Sequence, residues 1–265
     1  MISILFIFLS LFSIFILTSL IFYILIQKKI KFLTACKLVS VAFALNRLLF
    51  TASGFIASSY LFQKKKDLSF SEILGAFFVM ELLGVLPWLS LGVYFGVSLS
   101  LRIPWIFWVF LFFLLFFLIF RYRYLRDNFS KIKRYFVELS KNIFKVIPLI
   151  IFNQFLYVFY YYFLFSLFGF SLHFMQIIKI ISLSFSLGYL SLAPAGLGLK
   201  DASLVFLLVK EGVSLNNSIL CAFLDRLLIT GFWTLMGIFL GVNVIKKAVK
   251  DRINYFKQRI TLRNR

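Results

Sequence analysis

The amino-acid sequence predicts an all-α polytopic membrane bundle, with about six full transmembrane helices and two short re-entrant or half-helices. Of the 265 residues, 62% are apolar and 14% are charged, and the mean hydropathy is +1.00. A soluble domain of this length needs far more polar surface to cover its core. The apolar residues also form unbroken stretches, since residues 1–27 and 103–120 contain no charged side chain. Each stretch is long enough to cross a hydrocarbon layer of about 30 Å as a helix, which satisfies its own backbone hydrogen bonds.

The other helices are assigned from apolar length and from the basic residues between them. Residues 126–144 place apolar side chains at helical spacing among basic ones, which predicts an amphipathic helix on the inner surface. Residues 1–245 form one transmembrane domain, and residues 246–265 form a basic cytoplasmic tail. The apolar helices are predicted, in chain order, at 1–27, 33–50, 54–62, 68–96, 104–120, 143–168, 174–192, 199–210 and 215–241.

The net charge of +20 is concentrated between these helices, at residues 28–37, 64–66, 121–134 and 246–265. Basic runs also occur in nucleic-acid-binding proteins. Between apolar spans, however, they are typical of the positive-inside rule and of attraction to anionic headgroups. We therefore expect a multi-pass protein of the cell (inner) membrane with a cytoplasmic C-terminus. Its expected partners are membrane lipids, and no nucleic acid.

The sequence also resembles itself. When residues 67–96 are moved along by 145 positions onto residues 212–241, seven of thirty positions match, including a tryptophan and two glycines. The expected repeat halves are residues 33–96 and 174–241, and their last helices cross the membrane in opposite directions. Inverted repeats of this kind place a transporter's site near the membrane midplane. An ancestral duplication without a transport role, or a chance match, remains the alternative.

The most unusual segment is the break at residues 192–202. Pro194 ends a helix, and Gly196 and Gly198 permit backbone angles that other residues avoid. The helix that follows, 199–210, is only about 18 Å long at 1.5 Å per residue, so its start should lie within the bilayer. Its amide groups and positive dipole end, with Lys200 beside them, would suit an anionic group such as a lipid phosphate. Asp201 in the first turn favours the dipole and can pair with a basic residue.

Ionisable residues deep in the other helices require partners. Glu81 and Arg226 occupy equivalent positions in the two repeats, which makes them the preferred ion pair, with Asp225 as the alternative. Arg47 is a further candidate. The alternative for each residue is a purely structural role that ties helices together. Three uncharged polar residues are expected to face the same interior, namely Asn46, Asn153 and Gln154.

The sequence from Pro194 to Ala202, followed by Gly212 and the pair Asp225-Arg226, resembles the second signature of a known family. This is the lysylphosphatidylglycerol synthase transmembrane, or flippase-like, family, whose signature reads Pro-Gly-Gly-apolar-Gly-apolar-Arg-Glu-Ala with an arginine further along. Lys200 and Asp201 replace its arginine and glutamate with charge preserved. The resemblance covers roughly residues 5–245. It implies a protein that moves or presents lipids with polar headgroups.

The chain departs from the family in the first break. The family usually has a glycine–acidic pair there with a basic residue shortly after, whereas residues 53–58 contain Gly54 and no charge. Gly54 is nevertheless taken as part of the headgroup site. The departure implies either a different substrate or weak activity.

These observations lead to one preferred function and two alternatives. The preferred function is translocation or presentation of an anionic phospholipid or a polyprenyl-phosphate-linked lipid. The alternatives are a membrane enzyme acting on a lipid-linked substrate, and an accessory scaffold for a lipid-modifying or glycosyltransferase enzyme. No catalytic residue, metal or cofactor is expected, because the single histidine, His173, and two dispersed cysteines offer no ligand set. Nor does this chain contain a soluble aminoacyl-transferase segment, so we expect a transporter rather than an enzyme.

Overall fold

The computed structural model describes residues 2–48, 53–63, 69–98, 129–191, 196 and 198–263, and the described residues form helices and no strand. This confirms the all-α membrane bundle. The predicted span at 104–120, the lysines at 64–66 and Pro194 lie outside the described residues. In chain order the helices are α1 Ile2–Leu25, α2 Phe32–Leu48, α3 Ser53–Gln63, α4 Phe70–Ser98, α5 Phe129–Leu167, α6 Phe174–Leu190, α7 Leu199–Lys210 and α8 Leu215–Arg263.

Four of these helices are long and apolar enough to cross a membrane. They are α1, α4, the part of α5 from Asn142 to Leu167, and the part of α8 from Leu215 to Val242. The α6 helix is apolar but shorter. Two boundaries differ from expectation. The amphipathic segment 126–144 is not a separate helix, because α5 continues from Phe129 through it into the span. Likewise, α8 continues past residue 245 into the basic tail.

The two ends of the bundle are defined by contacts between helix termini. At end 1, where α1 begins, Ser166 near the end of α5 hydrogen-bonds to Ser3. At end 2, where α1 ends, the Lys29 Nζ lies 2.7 Å from the Glu72 Oε1 at the start of α4. The α1 and α5 helices are therefore antiparallel, and α4 starts at end 2.

Two helical hairpins enter this bundle from opposite ends. The α2 helix begins at end 2, directly after α1, and α3 returns towards the start of α4. The α6 helix begins at end 1, a short loop after α5. The α7 helix returns to end 1, where Glu211 accepts hydrogen bonds from Gln176 at 2.7 Å and Lys179 at 3.0 Å. We call the end of α2 with the start of α3 the first tip, and the end of α6 with the start of α7 the second tip. Both lie inside the bundle, because Asn46, Phe55, Tyr189 and Lys200 line one internal cavity.

The packing of α2 on α8 mirrors the packing of α4 on α6. In each case a glycine allows close approach, since a Cβ at Gly92 would collide with Ser186 of α6 and a Cβ at Gly237 would collide with Ala44 of α2. An aromatic stack accompanies each contact. Trp88 lies 5.3 Å from Phe185, and Trp233 lies 4.6 Å from Phe43, measured between ring centroids. These matched contacts support the predicted inverted repeat.

Candidate functional site

A cavity of about 210 Å³ is lined by residues of both hairpin tips. It is a cleft rather than a sealed void. Glu81 and Asn153, which line it, sit near the middle of the α4 and α5 spans, so the cavity lies at mid-depth. Gly196 of the second break lines the cavity, and the polar lining residues come from α1, α2, α4, α5, α6 and α7, namely Thr18, Asn46, Arg47, Glu81, Asn153, Gln154, Tyr157, Tyr189 and Lys200.

The cavity brings together many of the residues predicted from sequence. Of the predicted site residues, Asn46, Arg47, Glu81, Gly196 and Lys200 line it. The others that the structure describes lie outside the lining, and they are Gly54, Gly198, Asp201, Asp225 and Arg226.

Lys200 is the cation at the start of α7, and its side chain is almost fully buried. The Lys200 Nζ lies 2.7 Å from the Oδ2 of Asp225, which is completely buried on α8. The same carboxylate accepts hydrogen bonds of 3.1 Å from the hydroxyls of Tyr160 and Tyr161. The ammonium group also lies 4.9 Å from the centroid of the Phe185 ring, a cation–π contact. Lys200 therefore reaches the cavity with its charge already compensated.

A second ion pair lies one residue further along both helices. The Arg226 Nη2 lies 2.6 Å from the Asp201 Oδ2, with about a quarter of each side chain exposed. The same oxygen accepts a 3.3 Å hydrogen bond from the Gly198 amide, so the carboxylate binds back to the start of α7. The expected pair between Glu81 and Arg226 is therefore wrong. Consecutive residues of α7 face consecutive residues of α8, which leaves Arg226 beside Asp201 and not beside α4.

Arg47 and Glu81 are the two charged residues of the cavity that have no salt bridge within the described part of the chain. Arg47 lies at the end of α2 and Glu81 near the middle of α4, and they interact electrostatically without forming an ion pair. Both also act electrostatically on Tyr157 and Tyr189, which places the four groups close together. The cavity lining thus includes one basic and one acidic side chain that are not paired with each other.

The first break has a different structure from the second. The Gly54 amide donates a 2.7 Å hydrogen bond to the Asn46 Oδ1, so Asn46 satisfies one free amide at the start of α3. A Cβ at Gly54 would collide with the carbonyl oxygen of Ala42. Gly54 is thus required for close packing of α3 on α2, and its amide does not face a ligand.

Two amide oxygens in the cavity are buried and lack a hydrogen-bond partner within the described residues, the Asn153 Oδ1 and the Gln154 Oε1. The Gln154 Nε2 donates a 3.0 Å hydrogen bond to the Gly84 carbonyl. Because a carbonyl accepts only from the NH₂ side of the amide, this bond fixes the orientation of Gln154 and leaves its oxygen free. Such buried acceptors favour a bound donor.

Sequence reasoning missed Tyr160 and Tyr161, as well as Gly188, where a Cβ would lie 2.9 Å from the Lys200 Cβ. It also missed the closest internal similarity. When α2 is moved by 142 positions it coincides with α6, and six of the 17 positions are identical. That alignment pairs Phe43 with Phe185, the two rings that stack on the repeated tryptophans.

Comparison with known proteins gives one match. A family model described as "Lysylphosphatidylglycerol synthase TM region" matches residues 1–237. No curated protein and no solved structure matches the chain.

Proposed function

Since the chain belongs to the lysylphosphatidylglycerol synthase TM region family, we propose that it translocates or presents a lipid whose phosphate-bearing headgroup enters the cavity between the hairpin tips. The protein is an integral, multi-pass membrane protein of this family. The sequence favours an anionic phospholipid or a polyprenyl-phosphate-linked lipid as the cargo. The observation that carries the proposal is a cleft at mid-depth whose lining, otherwise mostly apolar, includes charged residues from both halves of the chain.

Charged side chains at this depth have a large energetic cost. An arginine, lysine or aspartate at the centre of a membrane helix costs about 2.5–3.5 kcal/mol on insertion scales. Lys200 and Asp225 offset that cost by pairing with each other. Arg47 and Glu81 lack this compensation within the described residues. A headgroup in the cavity would supply the missing partner, with its phosphate beside Arg47.

The size of the cavity fits this role. A volume of about 210 Å³ is enough for a small headgroup but not for acyl chains. The chains would remain among the exposed apolar side chains on the helix surfaces, such as Phe152 and Phe239. The membrane-facing surface and the cavity would thus hold the two parts of one lipid.

The test is leaflet exchange in vesicles that contain the purified protein and acyl-labelled lipids. Wild-type protein should exchange label between leaflets faster than protein-free vesicles do. Arg47→Ala should slow exchange by about ten- to a hundredfold, because a hydrogen bond to a charged group contributes about 1.5–3 kcal/mol. Lys37→Ala is the matched control, since Lys37 lies on the same helix outside the cavity lining.

Absence of exchange with every headgroup would contradict translocation. In that case, specific retention of a labelled lipid by the purified protein would favour presentation to a partner enzyme. Loss of both activities would contradict the proposal as a whole.

We also propose that end 2 faces the cytoplasm. The α8 helix starts at end 1, and its span of 28 residues carries the basic residues after position 245 to end 2. Lys28 to Lys31 lie at the same end, so the positive-inside rule favours this orientation. Single cysteines at the exposed positions Lys31 and Lys210 should be labelled from opposite sides of the cell membrane, after Cys36 and Cys221 are replaced.

A further inference from the structure

The charges that line the cavity balance one another, and this narrows the class of headgroup. Lys200 is neutralised by Asp225, which is completely buried behind it. Arg47 and Glu81 contribute one positive and one negative charge. With Glu81 ionised, the described lining residues therefore carry no net charge for a purely anionic headgroup to neutralise.

The separation of Arg47 and Glu81 indicates a dipolar occupant. Both side chains line the cavity and lie close enough to interact electrostatically, but they form no ion pair within 4 Å. A headgroup with a negative and a positive end could lie between them, with its phosphate towards Arg47 and its cation towards Glu81. An anionic headgroup would gain from Arg47 but would be repelled by Glu81.

The remaining lining groups favour the positive end of such a headgroup. The free oxygens of Gln154 and Asn153 accept hydrogen bonds and donate none. An ammonium group carries three donors, so it can bond to Glu81 and, after a small side-chain shift that opens the buried Gln154 oxygen to the cavity, to that oxygen as well. The aromatic faces of Trp88, Tyr157 and Tyr189 in the same lining also attract cations.

From these observations we infer that the cavity selects a zwitterionic phospholipid headgroup, with its phosphate diester beside Arg47 and its ammonium group between Glu81 and the Gln154 amide oxygen. This inference rests on the proposed function and names its substrate class. It departs from the anionic lipid that the sequence favours, because the sequence shows the positive charge of Lys200 but does not show its pairing with Asp225.

The test compares headgroups in the same vesicle assay. Acyl-labelled phosphatidylethanolamine carries an ammonium group, whereas acyl-labelled phosphatidylglycerol carries hydroxyls and a net negative charge. Wild-type protein should exchange the ethanolamine lipid about tenfold faster than the glycerol lipid. Glu81→Gln should bring the ratio of the two rates close to one, mainly by slowing the ethanolamine lipid. Glu72→Gln is the matched control, nine residues earlier on α4 and at end 2, and it should keep the wild-type ratio.

The outcomes separate this inference from the proposed function. Exchange of the glycerol lipid at an equal or higher rate than the ethanolamine lipid would overturn the inference and leave translocation intact. A wild-type preference for the ethanolamine lipid that Glu81→Gln does not change would also overturn the inference and leave translocation intact. Absence of exchange for both lipids would overturn the inference together with translocation. The preference of the wild-type protein is measured without any variant, so misfolding of Glu81→Gln cannot obscure the result.

Discussion

The two halves of the molecule, α2–α4 and α6–α8, share a packing scheme but differ in chemistry at the hairpin tips. In each half the first helix packs on the last helix of the other half through a glycine and a tryptophan stack. At the second tip, two ion pairs join α7 to α8. At the first tip, a neutral amide holds the start of α3, and no charge lies on α3. The comparison indicates that packing is repeated, whereas of the two tips only the second has ion pairs within the described residues, and Arg47 at the first tip has no such partner. Substitutions at equivalent positions should therefore differ most where an ion pair is involved.

The largest expected difference in stability loss is between substitutions of Asp225 and of Met80, its equivalent in the first half. Asp225→Asn should lower the free energy of unfolding by about 3–5 kcal/mol, because it leaves the buried Lys200 ammonium without a counter-charge. Met80→Leu keeps the volume of an apolar side chain and should cost less than about 1.5 kcal/mol. Reversible unfolding in mixed micelles would measure both.

A double variant makes this prediction sharper. Replacing the pair by Lys200→Met with Asp225→Leu removes both buried charges, and apolar residues of similar size often replace a buried ion pair without loss of stability. The double variant should therefore regain most of the free energy of unfolding that Asp225→Asn loses. If the double variant is less stable than Asp225→Asn, the larger part of the stability loss comes from the Tyr160 and Tyr161 hydroxyls, which are left without an acceptor.

The next largest loss of stability is expected from alanine at the two glycines of the helix contacts, and it should be equal in the two halves. Gly92→Ala and Gly237→Ala each place a methyl group into a helix contact, and overpacking of this kind costs about 1–3 kcal/mol. Gly231→Ala is the control on α8, since a Cβ there meets no atom within 4 Å. It should leave stability unchanged or raise it by up to about 1 kcal/mol through helix propensity. Unequal costs at Gly92 and Gly237 would contradict the matched packing of the halves.

Smaller effects on stability are expected from substitutions of the side chains that cap the starts of the two short helices, α3 and α7. Asn46→Ala removes the acceptor of the Gly54 amide and should cost about 1–2 kcal/mol, as for other N-terminal caps. Asp201→Asn keeps an acceptor for the Gly198 amide but loses the charge that holds Arg226. We therefore expect both variants to reduce thermal stability, and the loss in Asp201→Asn should be matched by Arg226→Gln, which breaks the same ion pair. Unchanged stability in Arg226→Gln would contradict the asymmetry between the tips.

The fold was predictable because it depends on properties that a sequence carries directly. Long uncharged stretches predict spans, and glycines with a proline predict breaks, so the re-entrant arrangement follows from residues such as Gly54 and Gly198. The cavity residues were also predictable, because ionisable groups such as Arg47, Glu81 and Lys200 are costly in lipid and must face the interior.

The partners of these charges were not predictable in the same way. Glu81 and Arg226 are equivalent under the repeat, but residues related by a twofold axis need not touch each other. Their contacts depend on the register of α7 on α8, which turns Arg226 towards Asp201. The match of α2 to α6 was missed because its offset of 142 differs from the 145 of the last helices. The difference arises because the second half has three more residues than the first half between its first helix and its last helix, 24 residues against 21.

The smallest effect tests whether the two aromatic stacks are energetically equivalent. Double-mutant cycles for Trp88 with Phe185, and for Trp233 with Phe43, should each give a coupling energy of about 0.5–1.5 kcal/mol. The single variants should differ, because Trp233 also contacts Phe15 at 5.8 Å, so Trp233→Leu should cost more than Trp88→Leu. Coupling energies isolate the pair from such neighbours, so they compare the halves directly. A coupling present in one half and absent in the other would show that the repeat preserves the position of the tryptophan without preserving its role.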